Sequence, residues 1–219
     1  MTDWVRGSVT IVAARSRAST RRPPHALLAL ITMGLIVIGL SACDIRGAVG
    51  EKGLGCNPQS MIAADDSTQS FYADGLETES QSALAYARGQ IDTTHVDTSQ
   101  SGTLTSSTDV RVLDGAYTNY CGYVWWTGPS PSPRVAGLTT CEALNAQGEC
   151  DQHYVRLSAT FVTYPGVPTS LIRHLVLHEL GHSLGLVHVR DSSDLMYKDG
   201  NDVTVLSDRN KKALNGYYD

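Results

Sequence analysis

Four of the seven histidines in this 219-residue chain stand close together, at positions 174, 178, 182 and 188. Within His178-Glu179-Leu180-Gly181-His182 two imidazoles are spaced i and i+4, which a helix sets on one face about one turn apart, close enough to bind the same cation. Two nitrogens alone do not make a metal site. Gly185 can adopt the left-handed conformation that ends a helix and turns the chain, and His188 then comes back toward the other two. A tripod of this kind leaves one tetrahedral position of a zinc ion open, which separates a catalytic site from a closed structural one with four protein ligands. Glu179, next in sequence to a ligand, has the chemistry of a general base for a water that the ion acidifies and sets against a polarised carbonyl. The spacing nominates His178, His182 and His188 as ligands of one catalytic Zn2+ and Glu179 as the base.

Other readings compete for the same residues. Gly181-His182-Ser183-Leu184-Gly185 fits the G-x-S-x-G elbow of serine hydrolases, but that elbow needs a strand running into a sharp turn before a helix, and here the motif lies inside and at the end of a helical pattern. His174 shares the helix face of His178 and could orient it from behind, although a plain polar position on the helix is the simpler reading. His95 and His153 have no partners at ligand spacing. The Asp199-Gly200-Asn201-Asp202 cluster offers oxygens to calcium but is more simply a turn, so calcium is not indicated. A protein of another class, a surface lipoprotein that binds zinc without catalytic turnover, has no need for a base at Glu179 beside an open coordination position.

The run His178 to His188 matches His-Glu-x-x-His-x-x-Gly-x-x-His, the metzincin signature. Asp194-Leu195-Met196-Tyr197, eight residues beyond His188 at its methionine, resembles the family's methionine turn, and the stretch from His178 to Tyr197, with Asp191, is most similar to the matrixin branch. The resemblance implies a metalloendopeptidase that cleaves protein or peptide substrates, with Met196 as an apolar floor beneath the histidines and the chain after Tyr197 walling a substrate pocket. It implies an α/β zincin-like domain: a twisted, mostly parallel sheet with an edge strand beside the substrate, an active-site helix and a small C-terminal subdomain. The Pro-Arg-Cys-Gly latency motif of many matrixins does not occur; Gly55-Cys56-Asn57 is the nearest stretch. The pattern of a second, structural zinc is not evident either.

Several elements must position these residues. After Pro165 and Pro168, Thr169 or Ser170 can cap a helix running from about Leu171 to Leu184. Glu77 to Gly89 reads as a helix with Ala83, Leu84 and Ala87 on its apolar side, and a last short helix should start at the cap Ser207 and carry Lys211, Lys212 and Leu214. Asp109-Val-Arg-Val-Leu alternates with period two, Gly122-Tyr-Val-Trp-Trp-Thr is aromatic and β-prone, and Tyr154 to Val162 is the candidate for the edge strand. Trp125 and Trp126 point to opposite faces if they lie in a strand, and Pro129, Pro131 and Pro133 mark a loop. No internal repeat is present.

The first 42 residues read as an export leader. Five arginines precede an uncharged run from Ala26 to Ala42, at the short limit for spanning a bilayer, and Leu40-Ser41-Ala42-Cys43 resembles the lipobox of bacterial lipoproteins. That resemblance implies lipidation of Cys43, membrane attachment and a place on the bacterial cell surface. A plain signal peptide that releases a secreted protein, or an uncleaved single-pass anchor, remains as an alternative. Residues 43–55, rich in glycine, would be the lipidated N-terminus and a flexible tether, and 56–219 the catalytic domain. Removing the leader's five arginines and one aspartate from 17 basic and 22 acidic residues leaves 12 against 21, a net charge of −9. With no basic stripe, a nucleic-acid partner is excluded. A monomer is expected. An oxidising compartment and the even count of Cys56, Cys121, Cys141 and Cys150 favour two disulfides; of the three connectivities, Cys141 with Cys150 is preferred for its short intervening loop, and so Cys56 with Cys121.

Overall fold

Buried residues at every second position make the central strands, and an apolar side on each of two helices covers them. The computed structural model describes Cys56 and residues 62–129 and 134–219; the leader, Cys43, the tether of residues 44–55, and Pro131 and Pro133 lie outside the described residues. Along the chain run β1 (Thr68–Asp74), α1 (Thr78–Ile91), β2 (Asp97–Ser101), β3 (Val110–Gly115), β4 (Asn119–Tyr120), β5 (Tyr123–Val124), β6 (Gly137–Leu144), β7 (Cys150–Ser158), α2 (Ala159–Val162), α3 (Thr169–Ser183) and α4 (Asp208–Tyr217). A five-stranded sheet has the order β2-β1-β3-β7-β6; every pairing is parallel except that of β6 with β7. The fold is therefore the expected α/β zincin-like one, with a mixed sheet.

Phe71, Val110, Val112, Val155 and Leu157 project from one face of the sheet into a core shared with Ala83, Leu84, Ala87 and Ile91 of α1 and Ile172, Val176, Leu177 and Leu180 of α3. Burying one such large side chain stabilises the fold by about 1.5–3 kcal/mol. The Asp114 carboxylate at the end of β3 accepts from the Glu77 N–H at 2.7 Å and from Ser80 Oγ at 3.0 Å, satisfying groups at the start of α1 that its own cap residue leaves free. Cys121 and Gly122, both at positive φ, form the two-residue turn of the β4–β5 hairpin. Cys56 is bonded to Cys121 and Cys141 to Cys150, the preferred connectivity.

Three expectations are corrected. The strand expected over Tyr154 to Val162 stops at Ser158, whose hydroxyl accepts from the Phe161 N–H and caps the short helix α2. A short apolar run such as Ala159-Thr-Phe-Val fits either state, and the serine decides it. That strand is also not the edge: β7 lies between β3 and β6, and β6 takes the edge. Finally, α3 starts at Thr169 with Pro168 at its cap position, so neither Thr169 nor Ser170 caps it. The β-prone stretch at 122–127 forms only β5 and one bridge, Trp125 to Val135. Trp125 is fully buried, while Trp126 is half-buried against Phe161 and Tyr164.

Candidate metal centre

The C-terminal end of α3 builds the site. Gly185, at φ +89°, closes the helix: its N–H donates to the His182 carbonyl at 3.0 Å and that of Leu186 reaches back to Gly181 at 2.9 Å, the paired bonds of a Schellman cap. The chain then returns, and the Val189 N–H donates to Met196 O at 2.9 Å, which sets His188 opposite the helix. Met196 is buried beneath: a Cβ at Gly181 would lie 2.8 Å from its sulfur, so the glycine lets the thioether pack flush on the helix.

Three imidazoles converge. His178 Nε2 and His182 Nε2 each lie 3.1 Å from His188 Nε2, and the three ligand atoms are all within 4.8 Å of one another. Behind them, His178 Nδ1 meets the Leu195 carbonyl at 2.8 Å and His182 Nδ1 meets that of Leu186 at 2.8 Å. A carbonyl only accepts, so each Nδ1 carries the proton and each facing Nε2 presents a lone pair. Lone pairs aimed at one point suit a cation. Burial also keeps these rings neutral: it pushes His178 well below the ordinary histidine value and His182 down to about 3. The donor set fits zinc, whose four ligands at about 2.0–2.1 Å place neighbouring nitrogens roughly 3.3 Å apart.

Glu179 is buried beside them, and burial pushes its carboxyl up to about 7 against the opposing effect of a hydrogen bond from Thr139 Oγ1 to Oε2 at 2.7 Å. Thr139 and Gly137, both on β6, are neighbours of Glu179 that sequence reasoning passed over. The β-branched Thr139-Thr140 pair after a proline loop was the available signal.

The other candidates lie elsewhere. Ser183 is fully buried and donates to the Leu180 carbonyl at 2.8 Å inside the helix, so it forms no nucleophile elbow. His174 is buried, bonded through Nδ1 to the Val203 carbonyl at 2.7 Å, and is not part of the converging set. His153 bonds the Ile62 carbonyl through Nε2, and exposed His95 pairs with Asp219. In the loop after Tyr197, Lys198 holds both oxygens of Asp199, while Asn201 bonds the Asp194 carbonyl at 2.6 Å and accepts from the Val203 N–H. These are the bonds of a turn.

Residues 63–216 match the family model described as Matrixin. The chain belongs to the matrixin family. Two solved structures of myroilysin are similar to this matrixin at 12% identity: one with a TM-score of 0.44, covering 74% of this chain and 87% of its own, the other with 0.47, covering 78% and 89%. No curated protein matches the chain. Family membership makes it a metallopeptidase with protein or peptide substrates. Unlike matrixins with a latency cysteine, it has Cys56 tied to Cys121, and a sulfur in a disulfide offers no thiolate to a metal. Among the described residues, His178, His182 and His188 are the one group of three or more such side chains with metal-ligand geometry.

Proposed function

We propose that this matrixin is an exported, zinc-dependent endopeptidase, held at the bacterial cell surface by lipid on Cys43, that hydrolyses extracellular proteins or peptides. The observation that carries the catalytic reading is the convergence of three Nε2 lone pairs beside a buried carboxylate. His178, His182 and His188 would hold the ion, which when bound supplies Lewis acidity toward the scissile carbonyl and toward water. Glu179 takes the proton from the attacking water and passes it to the departing amine nitrogen. Burial shifts its carboxyl upward, the direction that suits a group which must both accept and release a proton. The carbonyls of Leu195 and Leu186 hold the His178 and His182 imidazoles in the orientation that presents Nε2.

Glu179→Gln keeps the shape and all three histidines, so zinc should stay near one ion per chain while hydrolysis of a quenched peptide falls by about 10² to 10⁴. His182→Ala should lose zinc and activity together. An undiminished rate in Glu179→Gln refutes the mechanism, and a wild type without zinc refutes the site. One zinc per chain with no cleavage of any peptide library would favour a binding lipoprotein instead.

A further inference from the structure

We propose that Thr139 is a positioning residue for the base: its hydroxyl holds Oε2 of Glu179 against β6 and leaves Oε1 as the oxygen that takes the proton. This rests on the peptidase reading above and adds a residue to it. Thr139 Oγ1 lies 2.7 Å from Oε2 and 2.8 Å from the backbone carbonyl of the same glutamate. A hydroxyl has one proton to donate, and an ionised carboxylate is the stronger acceptor, so the charged base receives it. The Thr139 backbone N–H also acts on this carboxylate, and among the described residues no side chain is seen to donate to Oε1.

Gly137 acts on the same carboxylate from two residues away on the same strand face. A Cβ there would lie 2.8 Å from both Cγ and Oε1 of Glu179 and 2.9 Å from Leu175 Cδ1. The φ of Gly137 is not positive, so the glycine supplies space and not conformation. Thr139 thus binds one oxygen while Gly137 clears the ground beside the other. Thr140 has the same side chain one residue further on but faces the other way: it donates to Glu142 at 2.6 Å and accepts from Arg156 at 2.6 Å. It is a control built into the strand. Placement matters because a base must lie within hydrogen-bond reach of the proton it takes, and a shift of about 1 Å can cost about 10² in rate.

Thr139→Val preserves shape and burial and removes only the hydroxyl. In the purified full chain, kcat should fall about 10-fold to 100-fold with KM within about twofold, while zinc stays near one ion per chain. Thr139→Ser should restore most of kcat, and Thr140→Val should leave kcat intact. A readout free of turnover comes from thermal unfolding: Thr139→Val should lower the midpoint more in the wild type than in a Glu179→Ala background. Undiminished kcat in Thr139→Val, no rescue by serine, an equal kcat loss in Thr140→Val, or additive midpoint shifts each overturn the proposal. If the valine variant does not fold, Gly137→Ala tests the same placement from Oε1. A tenfold or larger loss of kcat with zinc retained supports the proposal, and an unchanged kcat overturns it. A wild type without turnover overturns the peptidase reading, and the thermal coupling still reports whether Thr139 holds the carboxylate.

Discussion

Asp194→Ala is expected to destabilise the protein by roughly 4 kcal/mol and to weaken zinc binding at a site the aspartate does not touch. Its carboxylate is buried between the methionine turn and α4: Oδ1 accepts from the Met196 N–H at 2.8 Å and Asn210 Nδ2 at 3.1 Å, and Oδ2 accepts from Ser207 Oγ at 2.9 Å. Alanine does not orphan all three donors, because the Ser207 hydroxyl can turn to Asn210 Oδ1 at 2.8 Å. Two buried donors are stranded, and at about 1–3 kcal/mol each they give about 2–6 kcal/mol in all, a large share of the 5–15 kcal/mol by which domains are stable. Asp194→Asn should cost only about 1 kcal/mol, since its oxygen still accepts from Met196 and Asn210 and its amide can donate to the serine. The effect on zinc passes through Leu195, whose carbonyl meets His178 Nδ1. With the Met196 N–H unanchored that carbonyl moves, and losing an outer partner of a ligand typically costs 10-fold to 100-fold in metal affinity. Urea unfolding followed by tryptophan fluorescence at fixed free zinc, together with chelator competition, measures both. An alanine variant within about 1 kcal/mol of the asparagine variant, or one with unaltered zinc affinity, would refute the reasoning.

Two further outcomes follow from other parts of the chain. His153 is buried on β7, and burial pushes it down to about 4 against the partly compensating bond to Ile62. Below the unfolded value of 6.5 the unfolded chain binds a proton that the fold refuses, so the stability present above pH 6.5 is lost as pH falls toward 4, by about 3 kcal/mol. His153→Gln keeps a donor for Ile62 without titrating, and its urea midpoint should fall less than that of the wild type between pH 7.5 and 4.5; parallel profiles would contradict this. In cells, Cys43→Ala should move the protein from the membrane fraction, and wild-type protein found wholly in the medium without acyl chains would dispose of the anchor.

The parts of this fold that the sequence made legible are those whose determinants lie close together along the chain. His178, His182 and Gly185 fall within one helix and its cap, so i, i+4 spacing and a left-handed glycine placed two of the converging imidazoles and the turn without knowledge of anything distant. Ser207 likewise announced α4, where it forms a capping box with Asn210. The misses are cross-element. In β6, Gly-Leu-Thr-Thr-Cys-Glu-Ala-Leu lacks a clean alternation, because Leu138, Thr139, Thr140 and Cys141 are buried in succession on both faces. Its edge position depends on how four other strands order themselves. Thr139 and Glu179 are 40 residues apart, and no local pattern reports their contact.

That difference also explains why the converging histidines are more legible than the surroundings of Glu179. Each facing Nε2 is set by short-range backbone: the carbonyl for His182 is four residues away, at Leu186, and the one for His178 is 17 away, at Leu195, inside the methionine turn. The C-terminal end of α3, with its partial negative charge, favours a cation close by, so helix, cap and turn cooperate without help from the sheet. Glu179 has the opposite requirement. A carboxylate at the same negative helix end, taken out of water, is destabilised in its charged form, and α3 offers it no donor of its own. The donor has to come from outside the helix, and Thr139 on β6 supplies it. The converging histidines are thus a property of a 19-residue stretch from His178 to Met196, whereas the placement of the Glu179 carboxylate requires the edge strand to be in register against the helix. A shift of β6 by one residue would bring Thr140's face to Glu179 and carry Thr139 away, abolishing the base's placement while leaving the three histidines as they are.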